Sequence, residues 1–320
     1  MPRRDVVLAF ALLLALFLPG LPALASPTSD IVAEVSQFSY SSYLNSSLYA
    51  HTGDNRGYGA QHDLARTNIY NAFQSFGLTT SLDPFTYNSN TYYNVVGVLP
   101  GKTHPDQIYI VGAHYDSVNN PGADDNASGT AGVLEAARVL SQHAFESTLV
   151  FIAFDREEQG LYGSHHYADA HASDDIRGMI SLDMIAYNPA GTHHDKAYVY
   201  WYSYSSPIVN DLADSLATYG GITAEIGNMN SSDHTYFATH GFDSALLIEH
   251  GWSNNPYYHK STDAIETPGL IDYDYATRMT RGAVGYLAEE AGPIIPEPGG
   301  LVLITLTVLL FVRRGTTHRG

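Results

Sequence analysis

Five short segments place histidines and carboxylates where they can hold a cation and move a proton. The first is GAHYDS at 112–117. His114 and Asp116, two residues apart, suit a metal ligand and the carboxylate that accepts its other ring N–H and so fixes the tautomer. Alone, such a pair is more often structural. The second is PGADDNASG at 121–129. Asp124 is placed to bridge two cations, among small residues that let backbone and metal approach closely. Asp125 or Asn126 suits the N-cap of the helix that follows. The third, FDREEQG at 154–160, sets Glu157 beside Glu158 on an irregular turn. One of two adjacent glutamates can bind a metal while the other takes a proton from water. An exposed acidic turn explains the pair equally simply. The fourth, SLDM at 181–184, puts Asp183 in an apolar run. A buried carboxylate is costly unless paired, so Asp183 needs a metal or a hydrogen-bond partner. The fifth, PYYHKSTD at 256–263, carries His259 with Asp263 behind it as an orienting carboxylate.

Together these segments supply two histidines, two aspartates and one glutamate as ligands, with one glutamate to spare as a base. The chain has no cysteine, which excludes thiolate ligands and disulfides. An all-nitrogen-and-oxygen donor set rich in carboxylates suits zinc at paired sites.

The elements that must position them read as one α/β domain. Helical spacing predicts helices near 31–48 and 59–76, with Leu64, Ile69, Ala72 and Phe73 on one stripe of the second. Apolar runs predict strands at 93–99, 108–112, 148–154, 179–185, 197–202 and 245–248. Helices alternate with them at 127–143, 206–219 and 273–290. Strands apolar on both faces, alternating with helices, imply a mostly parallel central sheet flanked by helices on both sides. All five segments are expected just after, or at the end of, predicted strands, and ligands of open α/β sheets collect at the carboxyl ends of strands.

At 320 residues and 44% hydrophobic composition the chain can bury a large core. Its formal net charge of −18 argues against nucleic acid as a partner, because phosphate binding needs clustered Lys and Arg. Residues 1–25 read as a signal peptide: a basic start at Arg3 and Arg4, an apolar run, and an Ala23-Leu24-Ala25 end. Residues 26–292 form the folded domain. Residues 293–320 form a tail with Pro296-Glu297-Pro298, an apolar stretch from 301 to 312 and a basic end. That stretch is too short to cross a bilayer unaided, where about 20 apolar residues are needed. The tail resembles the PEP-CTERM sorting signal of exported bacterial proteins, which implies an exosortase-type processing partner and an extracellular or envelope location.

The motifs GAHYDS, PGADDNASG, REEQGLYGS, LDM and YYHKSTD, in that order, resemble the bacterial leucyl-aminopeptidase type of zinc peptidases, metallopeptidase family twenty-eight of clan MH. The resemblance spans roughly 31–290 and includes Phe85-Thr86-Tyr87 and Tyr93-Asn94-Val95-Val96. It implies the zinc-exopeptidase fold, peptide N-termini as substrate, and two zinc ions. On this resemblance Asp124 bridges the ions, Glu158 and His259 complete one site, and His114 and Asp183 complete the other. Glu157 is then the general base, Tyr258 steadies the oxyanion, and Asp116 and Asp263 orient the histidines. Ser232-Asp233-His234 matches a recurrent segment near the site, which Asp233 as a helix N-cap explains.

Other readings stay open at this stage. A glutaminyl cyclase or a carboxypeptidase of the same fold uses similar residues, and a non-catalytic surface-binding module needs none of them. The pairs His165-His166 and His193-His194 read as surface residues, and the aromatic run at 198–204 as a half-exposed strand.

Overall fold

Strand β4 (Ser147–Phe154) is buried along its whole length, as a run apolar on both faces must be when helices cover both sides of its sheet. The computed structural model describes residues 26–189, 194–202 and 207–295. Its sheet has eight strands in the order β1 (Thr79–Tyr87), β2 (Asn90–Leu99), β4, β3 (His104–His114), β5 (Asp175–Asp183), β8 (Ser244–Glu249), β6 (Lys196–Trp201) and β7 (Thr223–Asn228). The central strands β4, β3, β5 and β8 run parallel. Strands β6 and β7 also pair in parallel, whereas β1–β2, β2–β4 and β6–β8 pair antiparallel. The expected α/β domain with a mostly parallel sheet is the one found.

Alternation along the strands divides the core. On β4, Leu149, Phe151 and Ala153 join one cluster with Tyr40 and Leu44 of α2 (Gln37–Ser47), Phe73 of α3 (Ala60–Ser75), Leu134 of α4 (Gly129–Leu140) and Met279 of α8 (Tyr273–Ala291). Val150, Ile152 and Phe154 point the other way, onto Tyr167 of α5 (Tyr162–Ala170) and Phe237 of α7 (His234–Thr239). Each Leu, Val, Ile, Phe or Met among them contributes about 1.5–3 kcal/mol when fully buried. These are the packing terms that hold the strand ends in register.

The boundaries depart from expectation where local chemistry intervenes. The predicted first helix is two, Pro27–Ala33 and α2, because the chain breaks where the Ser36 N–H reaches the buried Glu135 carboxylate at 2.7 Å. The helix predicted over 127–143 starts at Gly129, after a wide turn at Ala123–Ser128. Strands β1 and β7 escaped the apolar-run reading because they form the two edges of the sheet and are mostly exposed or half-buried. The expected signal peptide, the expected tail from 296 onward, and His193 lie outside the described residues. His165 and His166 sit on the surface beside Asp169 and Asp83. Among the described residues no helix is long and apolar enough to cross a membrane.

One buried cation holds together the loops at the carboxyl end of the sheet. Arg56 is fully buried and donates from Nε to the Tyr115 carbonyl at 3.0 Å and from Nη2 to the Gly122 carbonyl at 2.7 Å. Its Nη1 donates to the carbonyls of Pro121 and Tyr49. Burial lowers its pKa to about 10, with Asp263 and Asp116 opposing, so it stays charged at neutral pH. Arg56→Met leaves these carbonyls without a donor, a loss of about 3 kcal/mol or more. Urea unfolding of the variant is expected to show a clearly lowered midpoint; an unchanged midpoint removes Arg56 from this role.

Candidate metal centre

The site lies at the carboxyl ends of the parallel strands. His114 is the last residue of β3 and Asp183 the last of β5. Glu157 and Glu158 lie in the turn after β4, which closes when the N–H groups of Gly160 and Leu161 both reach the Glu157 carbonyl. Asp125 sits in the wide turn before α4, and His259 in the loop after β8. Gly122 opens the Asp125 turn with φ +58, and a Cβ there would lie 2.3 Å from the Asp125 carbonyl oxygen. Only glycine fits that approach.

Asp125, not Asp124, stands between the two histidines. Its Oδ1 is 3.4 Å from His114 Nε2, and its Oδ2 is 3.1 Å from His259 Nε2. Asp183 Oδ1 lies 3.6 Å from the same nitrogen of His114, and Glu158 Oε2 lies 3.1 Å from that of His259. Ligand atoms held tetrahedrally at zinc, 2.0–2.1 Å from the ion, are about 3.3–3.4 Å apart. The spacings of 3.1–3.6 Å are thus compatible with ligand atoms grouped on either side of Asp125. Asp125 Oδ2 is buried without a hydrogen-bond partner, which a cation would remedy. The donor set fits zinc.

The expectation for Asp124 is corrected by its partners. Its Oδ1 accepts from the Ala186 N–H at 3.0 Å and its Oδ2 from Asn255 Nδ2 at 2.8 Å. Asn255 also donates to Glu249 Oε1 at 3.1 Å. Asp125 has an extended backbone, φ −106 and ψ 93, and neighbouring side chains in extended chain leave on opposite sides. Asp125 therefore faces the cluster while Asp124 turns beneath it. Burial, with Asp263 beside it, pushes Asp124 well above the usual carboxylate range, and burial next to Asp124 does the same to Glu249. At Asp125 burial works against the charge, but His114 and His259 overcome it and hold the carboxyl at about 2.

The orienting residues are also revised. His114 Nδ1 donates to the backbone carbonyl of Asp116 at 3.1 Å, leaving Nε2 for the cluster. The Asp116 carboxylate is 3.5 Å from that Nδ1 and accepts the Glu157 N–H at 3.2 Å. It thereby ties the ligand to the neighbouring turn. Asp263 does not orient His259: its two oxygens accept the N–H groups of Asp124 and Asp125 at 2.8 and 3.1 Å, fixing the bridging turn. Asn126 takes the N-cap role, accepting the Gly129 N–H at 2.9 Å and donating to the Leu182 carbonyl at 2.8 Å.

Glu157 Oε2 is 4.0 Å from His114 Nε2, alongside Asp183. Burial drives its carboxyl well above the usual range, His114 drawing it back. Tyr258 stacks on the His259 ring at 3.8 Å and lines the same cavity. Met184, Met229, Leu246, Ile248 and Trp252 form an apolar wall beside the cluster. Asp233 starts α7 but makes no side-chain cap bond, contrary to expectation. Its oxygens are buried without a hydrogen-bond partner, and burial pushes its pKa up to about 7. Glu249, at the end of β8 in a segment expected near the site but without an assigned role, and Asn255, which the sequence did not single out, prove to be the partners of the residues behind the cluster.

An α/β sheet with imidazoles and carboxylates converging at the carboxyl ends of its strands defines an α/β protein with a candidate metal centre. The chain belongs to peptidase family M28, whose sequence profile it matches over residues 94–287. It is 37% identical over 204 residues to aminopeptidase YwaD of Bacillus subtilis, covering 59% of this chain and 42% of that protein. The chain thus spans about half the length of the curated relatives it matches. The fold is that of the Legionella pneumophila aminopeptidase LapA, with TM-score 0.72, 22% identity, and coverage of 84% of this chain and 75% of that one. It is also that of a Bacteroides thetaiotaomicron glutaminyl cyclase, with TM-score 0.67, 18% identity, and coverage of 79% and 97%.

The correction at the bridging position yields a comparison between neighbours. Asp125→Asn is expected to abolish tight zinc binding, measured by competition with a chelating dye. Asp124→Asn, one residue away, is expected to weaken it by no more than about 100-fold, the range for residues behind a ligand. The reverse order of effects would return the bridge to Asp124.

Proposed function

We propose that this chain is an exported zinc aminopeptidase that removes apolar residues from free peptide N-termini. The observation that carries the reading is the Asp125 carboxylate, with one oxygen toward His114 and the other toward His259. Two zinc ions would be held there, one by His114, Asp183 and Asp125, the other by His259, Glu158 and Asp125. Bound zinc supplies Lewis acidity, which makes a peptide carbonyl more electrophilic and a water more acidic.

The chain's own groups do the rest. Glu157, buried beside the cluster, accepts the proton of the attacking water and returns it to the leaving amine. The Tyr258 hydroxyl donates to the oxygen that gains charge as the carbonyl becomes tetrahedral. The surrounding carboxylates attract a free, positively charged α-amine, and this restricts attack to the first peptide bond. The wall of Met184, Met229, Leu246, Ile248 and Trp252 buries an apolar first side chain. Membership of family M28 and the resemblance to YwaD support the reading. Export rests on the sequence of residues 1–25, and an envelope location with processing by an exosortase-type enzyme rests on that of the tail.

The zinc-loaded protein should cleave leucyl anilide, spare its N-acetylated form, and lose activity to a chelator. Cyclisation of N-terminal glutamine without peptide cleavage would instead make it a glutaminyl cyclase. Glu157→Gln is expected to keep its zinc, by metal analysis, while turnover falls about 10²–10⁴-fold. Near-full turnover in that variant would remove Glu157 as the base.

A further inference from the structure

A second cavity, of about 320 Å³, opens beside the cluster between the loops that follow β3 and β4. Tyr58, Val118, Asn119, Arg156 and Gln159 line it. One turn separates the two spaces: Glu157 and Glu158 line the cluster, while Arg156 and Gln159, on either side of them, line the second cavity. The Val118 N–H donates to Glu158 Oε1 at 3.1 Å, which makes Glu158 part of the partition.

Arg156 is 4% exposed and locked in place. Its Nε donates to Asp155 Oδ1 at 3.0 Å and its Nη2 to the Gly57 carbonyl at 2.6 Å, with the guanidinium 4.3 Å from the centre of the Tyr92 ring. Nη1 has no hydrogen-bond partner among the described residues. Asp155 is shared, because it also accepts from Tyr115 at 2.8 Å and pairs with His62 at 2.8 Å. The backbone at Arg156 is left-handed, φ +62, a conformation uncommon for residues with a side chain. Gln159 Oε1 is likewise buried without a partner, and its amide can turn over to present N–H donors instead. The cavity therefore holds a fixed cation and spare donors in a neighbourhood otherwise crowded with carboxylates.

We infer that this cavity binds a substrate carboxylate downstream of the scissile bond, with Arg156 as its anchor. The inference rests on the aminopeptidase reading. The apolar wall lies over the ends of β5 and β8, and the second cavity lies on the other side of the cluster, at the loops after β3 and β4. A peptide whose first side chain meets the wall thus carries its next residue toward Arg156. The carboxylate has two sources: the free C-terminus of a dipeptide, or an acidic side chain in a longer one. Charge-assisted bonds to a planar guanidinium suit both.

The test compares kcat/KM within each enzyme, so general damage cancels. The full-length zinc-loaded protein is expected to prefer Leu-Gly over Leu-Gly-amide, or Leu-Glu-amide over Leu-Gln-amide, by about tenfold or more. The first pair reports a chain terminus and the second a side chain. Arg156→Gln should bring the preferred ratio close to one. Gln159→Glu, which leaves Arg156 and its partners in place, should lower it by opposing charge. Ratios near one in the parent protein, or ratios unmoved by these variants, overturn the inference. Calorimetry on the Glu157→Gln protein separates this outcome from failure of the aminopeptidase reading. Tighter binding of the carboxylate form of the preferred pair supports the cavity whether or not peptides are cleaved, and equal or no binding refutes it.

Discussion

Carboxylates crowded together away from water repel one another, and the rest of the structure is arranged around that repulsion. Asp116, Asp125, Glu157, Glu158, Asp183 and Asp233 converge at the ends of the central strands, with two imidazoles among them. Such a cluster needs compensating positive charge or retained protons, because the low dielectric of the interior strengthens every like-charge contact. The nitrogen–oxygen spacings of 3.1–3.6 Å around Asp125 are also those of donor atoms that share a cation. A divalent cation at this position would offset the crowded negative charge and partner the buried Asp125 Oδ2.

The surroundings hold the ligands in that unfavourable arrangement. Arg56 clamps the loops by their carbonyls, Asp263 takes the N–H groups of the bridging turn, and Asn126 joins that turn to β5. Each uses backbone groups that would otherwise be buried and unpaired, so the support of the site and the hydrogen-bond needs of the loops are met together. Parallel strands supply the frame. Their ends lie side by side, and residues 114 and 183, far apart in the chain, become neighbours because β3 pairs with β5.

The cluster is flanked unequally. Apolar side chains cover the β5–β8 side, and the loops on the β3–β4 side hold a buried arginine. A ligand lying across the strand ends would therefore meet a different chemistry on each side of the cluster. Structures with this fold include an aminopeptidase and a glutaminyl cyclase, so the fold alone does not choose the reaction; the side chains at the strand ends do.

Much of this was legible in the residues themselves. The apolar runs marked the central strands, and the order of the five motifs marked His114, Glu157, Glu158, Asp183 and His259, which the fold does bring together. Adjacent residues were the hard case. Asp124 and Asp125 have the same chemistry and the same spacing to every other motif, and only the extended backbone of the turn sends one to the cluster and the other to Asn255. The role of Asp263 was misread for a similar reason: its place behind His259 suggested a bond to the ring, but folding set it under a distant turn. The edge strands β1 and β7 carry no buried face to give them an apolar pattern. Composition and periodicity record which residues avoid water and how often they recur, so they determine elements and candidate ligands. Which oxygen faces which nitrogen depends on how remote segments pack, and the tertiary structure alone decides that.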